Sequence, residues 1–258
     1  MAKKKKKNKQ RAWLIVSFIV IALSAYIILM YVKQKQIEAA ERTRYAAFGI
    51  DVPNGYEIHG IDVSKYQGFV YWPSVKKMQV GNIKLGFAFI KATEGLATVD
   101  RQFKRNWQEA KDAGVVRGAY HFFIASKSGK EQAKNFIKTV QLQTGDLPPV
   151  LDVEQLYRTK PEALRKEVTD FLQALETYYK VKPIIYTNVS FYELYLGDDF
   201  DDYPLWVAHY FEPTKPRIER DWLFWQYNDG GRVNGILNRT DFDVFKSDSA
   251  AFKALLIK

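Results

Sequence analysis

The sequence predicts an α/β protein: an irregular, TIM-like β/α barrel of about five β/α units followed by helix-poor strands, preceded by one transmembrane helix. Two observations predict this architecture. Between residues 58 and 188, short apolar runs alternate with helical patterns, and such alternation indicates a parallel sheet with right-handed crossovers. Near the N-terminus, an apolar segment of 21 residues carries no charge, and a helix of that length can span a bilayer.

The basic residues are concentrated at the N-terminus. The chain has 258 residues and a formal net charge of +10, from 39 basic and 29 acidic side chains. Seven of the basic residues lie within residues 1–11, which leaves 32 in the rest of the chain. Because this run directly precedes the apolar segment, we interpret it as a basic cytoplasmic tail that orients the protein, and we expect no nucleic-acid partner.

The apolar segment Ala12–Val32 is expected to be an uncleaved, single-pass membrane anchor. The basic flank should stay in the cytoplasm, which places the C-terminal body outside the membrane. A cleaved signal peptide is the alternative. Its apolar region would have about 7–15 residues and end at a small-residue cleavage site, whereas this segment is longer and ends in Tyr31-Val32-Lys33.

Residues 33–55 are expected to form a polar stalk or linker, and residues 56–258 one globular domain. The first part of the linker is rich in Lys, Gln, Glu and Ala. Its end, Pro53-Asn54-Gly55, is a turn signal. The remaining residues are enough for one sizeable hydrophobic core.

The tetrapeptide GIDV occurs twice, at residues 49–52 and 60–63. The first copy runs into the turn signal of the linker, and the second runs into SKYQG. We therefore assign the first copy to the linker and the second to the first strand of the domain. On this assignment Asp62 is a candidate site residue and Asp51 is not.

Strand and helix patterns then follow one another along the domain. Five predicted strands contain, in order, HGIDV, GFAFIKATEG, VRGAYHFF, PPVLDVE and KPIIYTN. Helices are predicted in FKRNWQEAKDAG, in KEQAKNFIKTVQ, and from Pro161 to about Tyr179. The remainder, with LWVAHY, WLFWQYND and TDFDVF, predicts strands joined by loops. A doubly wound open sheet is the alternative, but no GxGxxG or GxxxxGKS sequence supports a nucleotide-binding version of it.

Polar and aromatic residues follow almost every predicted strand. Catalytic groups of β/α barrels lie at the carboxyl ends of the strands, so we expect these side chains to meet at one mouth. They are Asp62, Lys91, Thr93, Glu94, Tyr120, His121, Asp152, Glu154, Tyr186, Asn188, His209, Tyr210, Gln226, Tyr227, Asp241 and Asp243.

The two acids of PPVLDVE suggest the chemistry. Asp152 and Glu154 are two residues apart, so in a strand they point to the same face. Paired carboxylates are what glycoside cleavage needs, because one acid protonates the leaving oxygen while negative charge stabilises the sugar cation. An ion-paired strand end or a metal site is the alternative for this motif alone. The chain has no cysteine, and its three histidines lack metal-ligand spacing, so we expect no metal and no cofactor.

The ordered set of motifs resembles the glycoside hydrolase family 25 lysozymes, the N-acetylmuramidases. The motifs are HGIDVSKYQG, GFAFIKATEG, GAYHFF, PPVLDVE, LWVAHY, WQYNDGG and TDFDVF, from about residue 58 to residue 245. The resemblance implies an irregular β/α barrel that hydrolyses the β-1,4 bond after N-acetylmuramic acid in peptidoglycan, in cell-wall remodelling.

The resemblance also implies a set of site residues. Glu154 would be the general acid and then the general base. Asp152 would assist attack by the 2-acetamido group of the substrate, in a retaining, substrate-assisted reaction. Asp62 and Asp241 correspond to the other two acidic positions. The substrate-binding residues it implies are Tyr66, Tyr120, Phe122, Tyr186, Trp206, Tyr210 and Gln226.

The chain contains no tandem wall-binding repeats after the domain. We expect the membrane anchor to take their place by holding the domain outside the cell membrane, facing the wall. Two other functions stay open at this point. One is a catalytically inactive, membrane-anchored protein that binds peptidoglycan. The other is a membrane scaffold, which gives no reason for acids at the strand ends.

Overall fold

The structure, a computed structural model, describes residues 2–258, and the side chains of 2–12, 34 and 37–40 lie outside the described part. The side chains of the expected basic tail, residues 1–11, therefore lie outside the described residues. Helices cover α1 Ala2–Ala40, α2 Trp72–Lys77, α3 Phe103–Asp112, α4 Gly129–Thr139, α5 Pro161–Tyr179, α6 Val189–Phe191 and α7 Ser249–Leu255. Shorter helical turns cover Lys65–Gln67, Tyr192–Leu196 and Gly197–Phe200.

The strands alternate with these helices along the domain. They are β1 Arg42–Tyr45, β2 Ile50–Pro53, β3 Ile58–Val63, β4 Gln79–Val80, β5 Ile83–Glu94, β6 Thr98–Val99, β7 Val116–Phe122, β8 Val150–Asp152, β9 Ile184–Asn188, β10 Leu205–Ala208, β11 Phe224–Gly231 and β12 Thr240–Phe245. The predicted long helix begins and ends at the expected residues, Pro161 and Tyr179.

Eight of the described strands close into a barrel, which confirms the predicted fold class. Their order is β3, β5, β7, β8, β9, β10, β11 and β12, and β12 pairs back with β3. The first seven run parallel, whereas β12 is antiparallel to both of its neighbours. Because the sheet closes on itself, the open doubly wound alternative is wrong.

Aromatic side chains fill the barrel interior. Phe89 stacks on Trp206 with ring centroids 4.2 Å apart, and Phe87 contacts Phe224 at 5.1 Å. The glycine of the second GIDV copy, Gly60, makes room for this packing, because a Cβ there would lie 2.4 Å from the Phe87 ring. The interior is therefore a packed core, as in other β/α barrels, and not a pore.

The last part of the chain contains more helix than the sequence predicts. Helical turns occupy the connection between β9 and β10, and α7 follows β12. The side chain of Asp248 caps α7 by accepting a hydrogen bond from Ala251 N, 2.8 Å away. Phe252 then packs against Phe87 and Phe245, so α7 covers the end of the barrel interior. Seven residues are too few for a clear periodic pattern in the sequence.

Part of the segment expected to be a polar linker, residues 33–55, is folded against the barrel. Strands β1 and β2 pair as an antiparallel hairpin. Phe48 at its turn is fully buried, with its ring 5.1 Å from that of Phe242. Ile50 and Val52 of the first GIDV copy are also buried. This copy is therefore a strand in its own right, because its alternating apolar side chains face the core.

One described helical segment, Trp13–Lys33, is long and apolar enough to cross a membrane, with a mean hydropathy of 2.6. None of it is buried against the rest of the protein. A signal sequence near the N-terminus can meet the same criteria of length and hydropathy. The structure thus provides one candidate membrane-spanning helix that leads directly into the hairpin.

We expect Phe48→Ala to lower the free energy of unfolding of the domain by about 3–5 kcal/mol, because it leaves a cavity where a buried ring had been. Urea unfolding of the full chain in detergent, followed by tryptophan fluorescence, measures this. The control is Arg44→Ala in the same hairpin, which removes an exposed ion pair with Asp51 and should cost less than about 1 kcal/mol. Equal stability of Phe48→Ala and the wild type would show that the hairpin is a mere linker.

Candidate active site

The direction of the strands brings acids from both ends of the domain sequence to one mouth. Seven parallel strands end there, and β12 begins there because it runs the opposite way. Asp241 near the start of β12 therefore lies directly opposite Asp62 near the end of β3 in the strand register. On the other side, Asp152 of β8 is flanked by Phe122 and Tyr186 of the neighbouring strands.

These side chains line one cavity of about 260 Å³, which we call the acid cavity. All the catalytic and substrate-binding residues predicted from the sequence line it. The full set is Asp62, Ser64, Tyr66, Gln67, Lys91, Tyr120, Phe122, Asp152, Glu154, Tyr186, Trp206, Tyr210, Gln226 and Asp241.

The acid cavity includes Ser64 and Gln67, which were not among the predicted site residues. They cap the short helical turn after β3: Ser64 accepts from Tyr66 N, and the Gln67 side chain accepts from Ser64 N. This reciprocal pattern is a capping box. Its sequence signature, S-x-x-Q directly after a predicted strand, is the signal that could have placed both residues at the mouth.

Gln226 organises one wall of the cavity. Its amide nitrogen donates to Asp62 Oδ2 at 2.5 Å, and its carbonyl oxygen accepts from the hydroxyls of Tyr186 and Tyr210 at 2.8 and 2.7 Å. Since both tyrosines donate to the oxygen, the amide orientation is fixed by the network. Two strands, β9 and β11, and the loop after β10 thus hold Asp62 in place.

Asp62 and Asp241 lie opposite each other on β3 and β12, and their carboxyl groups interact electrostatically. Burial raises the pKa of Asp241 to about 9, and the charge of Asp62 adds to the effect. Burial likewise raises the pKa of Asp62 well above its usual range, with a further contribution from the charge of Asp243. Because the charge of Asp62 raises the pKa of Asp241, the pair favours a state in which one of the two carboxyls is protonated.

Asp152 and Glu154 form the opposite wall. Burial raises the pKa of Asp152, and the charge of Glu154 raises it further. Burial also raises the pKa of Glu154 above its ordinary 4.5. Among the described residues, Asp152 Oδ1 is buried without a hydrogen-bond partner. A buried carboxylate oxygen that lacks a partner in the protein is suited to receive a donor from a ligand.

Lys91 is the cation of the cavity. Its ammonium is buried and pairs with Glu94 Oε2 at 2.7 Å, 4.4 Å from the centre of the Phe122 ring. Its positive charge opposes the rise in the pKa of both Asp152 and Glu154. Lys91 therefore limits how far the two acids are driven towards their neutral forms.

The predicted groove aromatics divide into two groups. Tyr120, Tyr186 and Trp206 are at most 8% exposed and form the floor of the cavity. Trp206 is fixed there by its indole N–H, which donates to the buried Asp243 at 2.8 Å. Tyr66, by contrast, is 71% exposed at the rim. Of these four side chains, only Tyr66 offers a wide apolar ring face to a ligand.

A second cavity adjoins the first, and we call it the side cavity. It has a volume of about 450 Å³ and shares the residues Glu154, Tyr186 and Tyr210 with the acid cavity. Its other lining residues are Asn188, Val189, Ser190, Ala208, His209 and Arg217. Together the two cavities form a groove with Glu154 where they meet.

His121 lines neither cavity. His121 is buried between Thr93 and Gln132, at 2.7 and 3.2 Å, and burial lowers its pKa to about 3. Within residues 2–258, as far as the structure describes them, no cluster of three or more His, Asp and Glu side chains is arranged to hold a metal ion.

Comparison with known proteins identifies relatives over most of the chain. Residues 61–236 match the glycosyl hydrolases family 25. The uncharacterized protein YegX of Escherichia coli (strain K12) is 44% identical over 210 residues, 81% of this chain and 77% of that protein. Lysozyme M1 of Streptomyces globisporus is 35% identical over 213 residues, 77% of this chain and 71% of that protein.

The fold is also similar to the folds of solved structures. A family 25 glycosyl hydrolase from Bacillus anthracis superposes with a TM-score of 0.73 at 34% sequence identity. The match covers 80% of this chain and 96% of that chain. The irregular barrel with its antiparallel last strand is therefore similar to a structure of known family.

We expect the stability of Asp241→Asn to fall less steeply with rising pH than the stability of the wild type. The folded-state pKa near 9 exceeds the ordinary value of 3.8, so the folded state holds a proton that the unfolded state has released. Its stabilising contribution is complete below about pH 3.8 and is lost as the pH rises towards 9. Urea unfolding of the full chain at pH 4 to 9 measures the slope.

The control is Asp198→Asn, which removes an exposed carboxylate and should change stability by less than about 0.5 kcal/mol at any pH. An unchanged slope in Asp241→Asn would mean that the carboxyl at position 241 is ionised in the folded protein at neutral pH.

Proposed function

The chain belongs to the glycosyl hydrolases family 25, and from this premise we propose that it is a peptidoglycan hydrolase. Its activity is that of a lysozyme, a 1,4-β-N-acetylmuramidase that cleaves the glycan strand after N-acetylmuramic acid in cell-wall remodelling. The observation that carries the proposal is the meeting of Asp62, Asp152, Glu154 and Asp241 in one cavity. Lysozyme M1 and the family 25 hydrolase structure support the same activity.

Glu154 is the general acid and afterwards the general base. It lies where the acid cavity meets the side cavity, so sugars on both sides of a scissile bond would contact it. Burial raises its pKa, which favours the protonated form needed to deliver a proton to the leaving oxygen. Once ionised, it can deprotonate the attacking water in the second half of a retaining reaction.

Asp152 orients the 2-acetamido group of the muramic acid. Its buried Oδ1 has no partner among the described residues and can accept the acetamido N–H. This contact would turn the acetamido oxygen towards the anomeric carbon, where it attacks from the face opposite the leaving group. The intermediate is a cyclic oxazolinium ion, and the reaction proceeds with net retention.

Asp62 and Asp241 supply shared negative charge beside the reacting sugar. Gln226 and its two tyrosines fix Asp62, so the charge need not reorganise as the sugar becomes cationic. The rim ring of Tyr66 is placed to stack on a sugar face. A catalytic site needs ordered hydrogen bonds and preset charge, whereas a passive binding surface does not need them. This favours the enzyme over an inactive peptidoglycan-binding protein.

The helix Trp13–Lys33 anchors the protein in the cell membrane. Its length and hydropathy support a single span, and the lysine-rich flank that precedes it favours a cytoplasmic N-terminus. The domain, residues 56–258 together with the hairpin, would then lie outside the membrane and face the wall. The basic tail 1–11, the anchor 12–32 and the helical stalk that follows are the remaining parts.

We expect Glu154→Gln to lower kcat on purified peptidoglycan by about 10²–10⁴-fold, because glutamine cannot transfer the proton. The full chain in detergent is incubated with wall glycan, and new reducing ends are reduced and identified by mass spectrometry. Muramic acid ends should appear with the wild type and vanish with the variant. Proton NMR of fresh digests should show the β anomer first, as retention requires.

The two GIDV copies provide a matched control. Asp62→Asn should lower activity strongly, whereas Asp51→Asn, in the first copy, removes only an exposed ion pair with Arg44 and should leave activity unchanged. Wild-type protein that binds the wall but releases no new ends would instead favour the peptidoglycan-binding protein.

Expression in a bacterium tests the anchor. We expect the full chain to sediment with membranes, to resist extraction with high salt, and to be released by detergent. Protease added to spheroplasts should degrade the domain. A mature protein that starts after residue 32 and is found in the culture medium would identify the apolar helix as a cleaved signal sequence.

A further inference from the structure

The side cavity lies on the leaving-group side of the scissile bond. Glu154 borders both cavities, and a general acid must contact the oxygen between the two sugars. The sugar that becomes cationic needs negative charge, and Asp62, Asp152 and Asp241 line the acid cavity alone. The acid cavity therefore holds the muramic acid that reacts, and the side cavity holds the part of the strand that leaves.

The wall of the side cavity offers hydrogen-bond donors. Asn188 uses its Oδ1 to accept from Phe191 N, which leaves its amide N–H groups for a ligand. Ser190 is exposed at the same wall. His209 offers no ring N–H to the cavity, because its Nδ1 accepts from Arg217 N at 3.1 Å and its Nε2 lies 3.0 Å from the Glu212 carboxylate.

Arg217 is the cation of the side cavity. Its Nη2 donates to Glu212 Oε1 at 2.7 Å, and its side chain is 77% exposed at the rim of the cavity. Within the described part of the chain, its Nε and Nη1 have no hydrogen-bond partner. A guanidinium with free N–H groups suits a carboxylate, to which it donates charge-assisted hydrogen bonds.

We propose that Arg217, with Asn188 and Ser190, recognises a carboxylate on the leaving part of the substrate, supplied by its acidic peptide stem. The inference rests on the proposed function. The sugar rings of the glycan are uncharged, so the anionic groups in reach are carboxylates. In peptide-bearing strands they belong to the stem, and in peptide-free strands to the lactyl group of muramic acid.

Binding of a fragment that contains no bond for the enzyme to cleave tests the proposal without turnover. The fragment is a disaccharide of N-acetylglucosamine linked to N-acetylmuramic acid. It is prepared with its peptide stem, with the stem carboxylates amidated, and without the stem. Calorimetry measures the Kd of each form for the full chain in detergent. We expect Arg217→Gln to weaken binding of the stem-bearing form by about tenfold, and the amidated form to bind both proteins equally.

Two further variants keep the test specific. Lys215→Gln removes an exposed positive charge two residues away, outside the side cavity, and should leave every Kd unchanged. Arg217→Lys keeps the charge beside Glu212 but lacks the planar fork, so an intermediate affinity is expected.

Loss of affinity confined to the stem-bearing form would identify the stem as the source of the carboxylate. Loss confined to the stem-free form would identify the lactyl group instead, with the same recognition by Arg217. An unchanged Kd in Arg217→Gln for all forms, or an equal loss with the amidated form, would overturn the proposal. Failure of the proposed function would appear separately, as a wild type that binds these fragments and releases no reducing ends from wall glycan.

Discussion

The antiparallel pairing of β12 with β3 is the constraint on which the site depends. A parallel eighth strand would need a crossover of a dozen or more residues and would bring its carboxyl end to the mouth. The observed strand returns from β11 after a short loop, residues 232–239, and brings its amino end there instead. Asp241 is thereby set opposite Asp62. The same shortcut explains how a domain at the short end of the barrel size range still closes.

The site is built at a cost to stability. Four carboxyls, those of Asp62, Asp152, Asp241 and Asp243, are buried strongly enough that their pKa values rise above the ordinary range, with burial the largest cause for each. A fold selected for stability alone would fill this volume with apolar side chains. The aromatic side chains that fill the barrel interior offset part of this cost in free energy, because they pack against one another beneath the acids. Elevated pKa values clustered in one cleft are typical of functional sites.

Much of the site could be predicted because its residues follow recognisable strands. Asp62, Asp152 and Glu154 stand at the ends of apolar runs, and chain topology alone brings such positions together. The hairpin could not be predicted, because its strands have only four residues each and its burial depends on contacts with Phe242, far along the chain. The hydrogen bond from Trp206 to Asp243 could not be predicted either, because it too joins residues that are far apart in the sequence. In the sequence, Asp241 and Asp243 are equivalent acids of one strand, and only the closed barrel makes one a wall of the cavity and the other an internal anchor.

The hairpin also determines how far an anchored domain can reach. Helix α1 ends at Ala40 and β1 begins at Arg42, so a single residue joins the helix to a hairpin that is part of the folded core. From the end of the apolar span at Lys33, the helix rises about 1.5 Å per residue to Ala40, or roughly 11 Å in all. A flexible linker of the expected length, residues 33–55, would have an end-to-end distance of roughly 26 Å, more than twice as far. If the helix is the anchor, the barrel is held close to the membrane surface, and the glycan strands it can cleave are those nearest to the membrane.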